Sequence, residues 1–251
     1  MIGMASTLSS RIYCPASQRV DDKEQCRALL DDVGAGLWIT GGSGVPDATL
    51  LPTMWRGDLL LAHAAVQNPQ FDVPHDEPVA CRVVVQGPQT YVSPRWYPSI
   101  QPPELGGSAR GRAEGRAVGT WDYMQVQFAG WLRVHQDEQR LRREVMEQAE
   151  QLDATRLADT PHSADHARGP WHRGEAPVDF TDAMFQGILG LELEITDVVG
   201  RFKVSRNRTE VDKDGVVDGL RERGRDRDHQ VADAVAAAPP LPRGVGRTAT
   251  S

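Results

Sequence analysis

The stretch Leu191-Glu192-Leu193-Glu194-Ile195-Thr196 alternates apolar and polar residues without a break. Successive side chains of a strand point to opposite faces, so the alternation describes a strand with one buried and one wet face. It continues through Arg201-Phe202-Lys203-Val204, with Gly200 expected to supply a turn before that segment. Working back along the chain, Gly36 to Thr40, Ala48 to Trp55, Leu59 to His63, Ala80 to Gln86, Tyr91 to Ser93 and Thr120 to Val134 read as further strands. Arg56-Gly57-Asp58 reads as the tight turn of a hairpin rather than as an adhesion motif.

Helices lie around these strands. Asp21 and Glu24 have capping-box spacing, and Cys26, Leu29, Leu30 and Val33 then form one apolar stripe over 22–33. In 136–153, Leu141, Val145, Ala149 and Leu152 keep helical spacing, with Glu138 and Arg142 paired on the wet side. Residues 210–222 and 227–238 read as a helical hairpin. The Gly- and Arg-rich stretch 99–118 and the His-containing stretch 159–178 read as lids or connectors. Residues 1–11 and 239–251 have little to bury and read as disordered ends, leaving one domain over 12–238. The class is α+β, mainly β: a small barrel with peripheral helices.

The 251 residues carry a formal net charge of -7, with 39% apolar and 25% charged residues. That composition is globular, and the acidic balance argues against a nucleic-acid partner. No apolar run is long enough to span a membrane, and the N-terminus lacks an apolar signal core, so a cytoplasmic protein is expected. Three cysteines without a CxxC pair form neither a disulfide framework nor a zinc knuckle. Asp212-Lys213-Asp214-Gly215 lacks the remaining calcium ligands and reads as the start of a helix. His162, His166 and His172 read as a solvated loop, and no GxSxG, P-loop or GxGxxG follows a strand.

What stands out is a set of ordered blocks: Tyr13 and Pro15; Ala48-Thr49-Leu50; Ala62-His63-Ala64-Ala65-Val66-Gln67-Asn68-Pro69-Gln70; Gln86 to Tyr97, QGPQTYVSPRWY; Gly119-Thr120-Trp121-Asp122-Tyr123; and Lys203 to Arg208, KVSRNR. Together they resemble the PaiB-type FMN-binding proteins over about residues 12 to 235. The resemblance implies a split β-barrel of the FMN-binding, PNP-oxidase-like type, a homodimer, and cofactor pockets at the subunit interface. Some positions depart from the pattern. Leu50 replaces a histidine, Val66 a basic residue, Asp122 an asparagine and Arg206 a glutamine. A phosphate wants a cation or several N–H groups, so Val66 removes one clamp, and an Asp122 that faces the pocket would also repel it.

These departures are similar to the haem-bearing branch of the family, the piperazate synthases. That resemblance implies haem b in place of FMN. It also implies an amino-acid substrate, N5-hydroxy-L-ornithine, converted to L-piperazic acid by N–N bond formation with loss of water. His63 would be the iron ligand, with Thr49, Asn68, Trp96 and Trp121 among the cofactor contacts. Arg95, Lys203 or Arg206 offer cations for the propionates, a choice made on charge and not carried by the resemblance. Asp122 would hold or deprotonate the substrate ammonium, Tyr123 or Tyr97 would donate a proton to the leaving oxygen, and Arg206 or Arg208 would clamp the carboxylate. The alternative is an FMN-binding PaiB-type regulator or flavin-dependent oxidoreductase.

Overall fold

A computed structural model describes residues 12–41, 44–74, 77–109, 114–160 and 164–239. Nearly all of the expected disordered ends, residues 1–11 and 240–251, lie outside them, as do His162, Arg110 and Arg112. The strands are β1 (Arg19–Val20), β2 (Ala35–Thr40), β3 (Asp47–Pro52), β4 (Met54–Arg56), β5 (Leu59–Ala65), β6 (Val79–Val92), β7 (Thr120–His135) and β8 (Ile188–Lys203). The helices are α1 (Lys23–Val33), α2 (Glu138–Ala158), α3 (Val178–Phe185), α4 (Glu210–Arg223) and α5 (Asp226–Ala237). Residues Arg27–Val85 and Gln127–Val198 form one compact unit; the segment up to Cys26, Gln86–Val126 and the chain from Val199 form a second.

In the first unit the strands close on themselves. β2 pairs antiparallel with β3, and after Thr53 the chain runs straight into β4, which pairs with β5. β5 pairs with β8, and the order then runs β8, β7, β6 and back to β2. The result is a barrel, as the sequence predicts, although the strand read from Ala48 to Trp55 is broken at Thr53. That residue serves the core: the Trp38 indole N–H donates to its Oγ at 2.9 Å. Trp38, Leu60, Val83, Val85, Phe128, Leu191 and Leu193 are fully buried or nearly so. The period-2 pattern at 191–196 thus reports a strand whose leucines face inward.

In the second unit, a core of Val92, Tyr97, Val204, Val216, Leu220, Val231 and Val235 joins strand ends to the α4–α5 hairpin. Thr209 caps α4, its Oγ accepting from the Asp212 N–H at 3.3 Å. Asp212 in turn accepts from the backbone and hydroxyl of Ser99, at 3.0 and 2.7 Å, so the Asp-Lys-Asp-Gly motif is a helix start. Gly219 lets the helix approach Trp96, whose ring would lie 2.4 Å from an added Cβ.

Several local expectations change. Asp22, not Asp21, caps α1, accepting from the Glu24 N–H at 2.9 Å. Gly200 makes no turn: β8 passes through it, and an added Cβ would meet Cys26 Sγ at 2.8 Å and the Val20 carbonyl at 2.9 Å. Tyr91-Val92 belongs to the same strand as Ala80 to Gln86, despite Gly87-Pro88. In α2 the buried residues are Leu141, Met146, Gln148 and Leu157, so Leu152 is on the exposed side. The stretch 159–178 ends in an unforeseen helix, α3, whose Phe185 joins Leu141 and Met146 in a small core. No helix among the described residues is long and apolar enough to cross a membrane.

Candidate functional site

His63 lies near the end of β5, opposite Gly190 of β8. Burial pushes its imidazole pKa down, which favours the neutral ring. Its Nδ1 is buried without a hydrogen-bond partner among the described residues. A neutral imidazole with an unused nitrogen is chemically a competent metal ligand. The space beside it is small, however. Glu144, Val145 and Gln148 of α2 lie across it with Met54 and Leu61, leaving a cavity of about 10 Å³, roughly what one water needs. A porphyrin does not fit against this side of the ring.

Thr49 and Asn68 are engaged beside the same barrel. Thr49 Oγ donates to Gln70 Oε1 at 2.6 Å, and the Asn68 amide donates to Thr49 Oγ at 3.1 Å. The Asn68 side-chain carbonyl caps the following turn by accepting from the Gln70 N–H at 3.1 Å. Gln70 is buried, and its own amide donates to the Trp38 carbonyl at 2.9 Å. The network anchors the loop after β5 to β2 and β3.

A second polar group in this unit was not foreseen. One ligand atom each from His135, Glu144 and Glu192 lie within 4.8 Å of one another. The Arg140 guanidinium pairs with both carboxylates, meeting Glu144 at 2.9 Å. His135 Nδ1 accepts from the Asp137 N–H at 3.3 Å, which places the ring proton on Nε2, facing Glu192. That tautomer suits an ion-pair cluster rather than a metal. The two described histidines of the loop are also committed: His166 Nε2 lies 2.8 Å from the Thr160 carbonyl, and His172 Nδ1 accepts from the Gly174 N–H at 3.1 Å.

The remaining candidates lie in the second unit. Asp122 is only 1% exposed. The Ser205 hydroxyl donates to its Oδ2 at 2.6 Å, and burial, the largest influence, raises its pKa. Ser205 is held at φ 53°, alone among described non-glycine residues in having a positive φ. Such a backbone is uncommon for a residue with a Cβ. Tyr97 is fully buried beneath the Arg208 guanidinium, 4.2 Å from the ring centroid, and burial raises its pKa. Trp96 lies against α4, with the Arg223 guanidinium 5.1 Å from its ring. Arg95 is exposed in a short turn capped by Ser93.

Alternation puts the neighbours of Asp122 on the opposite face of β7. Trp121 is 49% exposed, its indole N–H donating to Gln89 Oε1 at 2.9 Å. Lys203 donates to Thr120 Oγ and, at 2.6 Å, to the Trp121 carbonyl. Burial lowers its pKa. The Arg201 guanidinium lies 5.3 Å from the Tyr13 ring and 5.4 Å from the Tyr123 ring. Sequence reasoning missed Arg201, although its i, i+2 relation to Lys203 puts both on one side of β8. Arg206 is elsewhere, lining a cavity beside Phe202 and Val204.

A family profile described as "Putative FMN-binding domain" matches residues 12–197. The chain belongs to this PaiB-type FMN-binding family. An uncharacterized protein of Emericella nidulans is 28% identical over 154 residues, 61% of this chain and 57% of its own length. This chain thus spans little more than half of that relative. Protease synthase and sporulation protein PAI 2 of Bacillus subtilis is 24% identical over 229 residues, covering 88% of this chain and 95% of that protein. The solved structure of flavocytochrome Anf3 from Azotobacter vinelandii aligns at 17% identity with a TM-score of 0.45, over 76% of this chain and 70% of that one. The PaiB-type profile ends before Lys203, so the KVSRNR block lies beyond the matched residues.

Proposed function

We propose that the chain binds flavin mononucleotide, and that the outward face formed by Trp121, Tyr123, Arg201 and Lys203 contributes to the site. The observation that carries this reading is the burial of Asp122. An exposed carboxylate there would repel a phosphate. Instead the carboxyl is turned inward onto Ser205, and the cations and aromatic rings occupy the other side of the strand. Flat rings suit an isoalloxazine, and a cation suits its phosphate.

Lys203 has three N–H donors, of which Thr120 and the Trp121 carbonyl take two. The third can serve a phosphate oxygen. Arg201, near two tyrosine rings and donating from Nε to Gln18 Oε1 at 2.9 Å, adds a fixed positive charge. When bound, FMN supplies one- and two-electron redox chemistry, which would make the protein a flavin-dependent oxidoreductase or a flavin-responsive regulator. A homodimer is part of this proposal, since the exposed Trp121 and Tyr13 offer an incomplete binding surface.

The haem-dependent piperazate synthase reading needs an open coordination position at His63. Helix α2 covers one side of that imidazole, where the cavity is about the size of one water, so on that side the reading gains no support beyond sequence resemblance. The test of the flavin proposal is an FMN titration followed by flavin fluorescence. Wild type should bind. Lys203→Met should bind at least tenfold more weakly, as expected for loss of a charged hydrogen bond of about 1.5 kcal/mol. No binding by wild type, or equal binding by the variant, would overturn it.

A further inference from the structure

The second unit contains a cavity of about 350 Å³ whose apolar lining includes Val20, Met124, Phe202, Val204 and Ala234. That volume falls within the range of small-molecule sites. Phe202 and Val204 alternate with Lys203 along the chain, which places the cavity on the other side of that segment from the proposed flavin face.

Four charged residues reach this space: Arg19, Asp21, Asp22 and Arg206. Three of them already have partners. Arg19 Nε donates to Asp21 at 2.6 Å. Asp22 accepts from the Glu24 N–H at 2.9 Å and from the Gln25 amide at 3.0 Å, and these bonds hold its pKa down. Arg206 differs: its Nε is buried without a hydrogen-bond partner among the described residues. A buried donor left unpaired is destabilising, and a ligand that pairs it removes that penalty. Arg206 is also one of the positions where this sequence departs from the pattern it resembles, which carries glutamine.

We infer that this cavity binds a small organic monocarboxylate with an apolar body. Its carboxylate meets the Arg206 guanidinium, and its hydrocarbon part lies among Met124, Phe202, Val204 and Ala234. A planar guanidinium pairs a carboxylate through two parallel N–H bonds, whereas a neutral alcohol accepts a single uncharged bond and a protonated amine accepts none.

The experiment is isothermal titration calorimetry of the full chain with octanoate, with octanol and octylamine as chain-length controls. Wild type binds octanoate at least tenfold more tightly than either control. Arg206→Gln, which installs the residue of the resembled pattern, weakens octanoate at least tenfold. Ala234→Trp fills the cavity and abolishes binding while circular dichroism and FMN affinity stay unchanged. Octanoate binding that is unaltered in either variant, or no octanoate binding by wild type at millimolar concentration, overturns the inference. FMN titrated in parallel reports on the flavin face separately, so failure of one proposal is distinguishable from failure of the other.

Discussion

Replacing Asp228 by alanine should lower the stability of the protein by about 3 kcal/mol. The carboxylate is completely buried in α5. Its Oδ1 accepts from the Thr90 hydroxyl at 2.7 Å and from Arg223 Nη2 at 2.5 Å, and its Oδ2 from Arg223 Nε at 2.7 Å and Arg225 Nε at 2.8 Å. Breaking a buried ion pair costs about 3–5 kcal/mol, because the stranded partner stays desolvated. Arg223 and Arg225 keep side-chain exposures of 25% and 45% and can rehydrate, which places the loss at the lower end. The pH dependence has a definite sign. Burial pushes the carboxyl pKa up, but hydrogen bonds from Arg223, Arg225 and Thr90 together outweigh it and hold the pKa well below the ordinary range. A depressed folded-state pKa means the contribution is complete above the unfolded value of about 4 and is lost as pH falls below it. Urea unfolding of wild type and Asp228→Ala at pH 7 and at successively lower pH measures both effects. A difference under about 1 kcal/mol at neutral pH, or one that does not shrink on acidification, would refute the assignment of a buried ion pair.

Gly200→Ala should destabilise by about 1–3 kcal/mol, the usual cost of overfilling a tight site, because Cys26 and the Val20 backbone stand where the methyl would go; denaturant midpoints measure it. The same substitution at a genuine turn would leave the pairing of β1 with β8 untouched. His63 should titrate below its ordinary value near 6.5, as followed by its ring proton shifts. Its folded pKa is lowered, so the unfolded chain takes up protons first, and stability should fall as pH drops below about 6.5. His63→Gln should flatten that slope.

The barrel was legible because its strands carry period-2 signals, and 191–196 shows the clearest of them. Local geometry was legible where a single residue enforces it, as in the Arg56-Gly57-Asp58 turn. What escaped depends on partners distant in sequence. Nothing near Asp122 indicates that it points inward, because the hydroxyl that receives it belongs to Ser205. Nothing near Gly200 indicates that Cys26 stands over it. Helix α3 exposes Phe180 and Val178 and buries only Thr181 and Phe185, so it carries no apolar stripe to read. The sequence does place His63 near a strand end, but the residues covering it come from α2, far along the chain. The face holding Lys203 was partly visible. Arg201 lies two residues before Lys203 on the same side, but its place beside the Tyr13 and Tyr123 rings depends on residues distant in sequence.

The choice between flavin and haem is decided by the absorption spectrum of the protein after reconstitution with FMN and, separately, with haemin, each followed by gel filtration. Two broad flavin bands should elute with the protein, and no sharp Soret band should. A stoichiometric Soret band that disappears in His63→Ala, with FMN washed away, would contradict the flavin assignment.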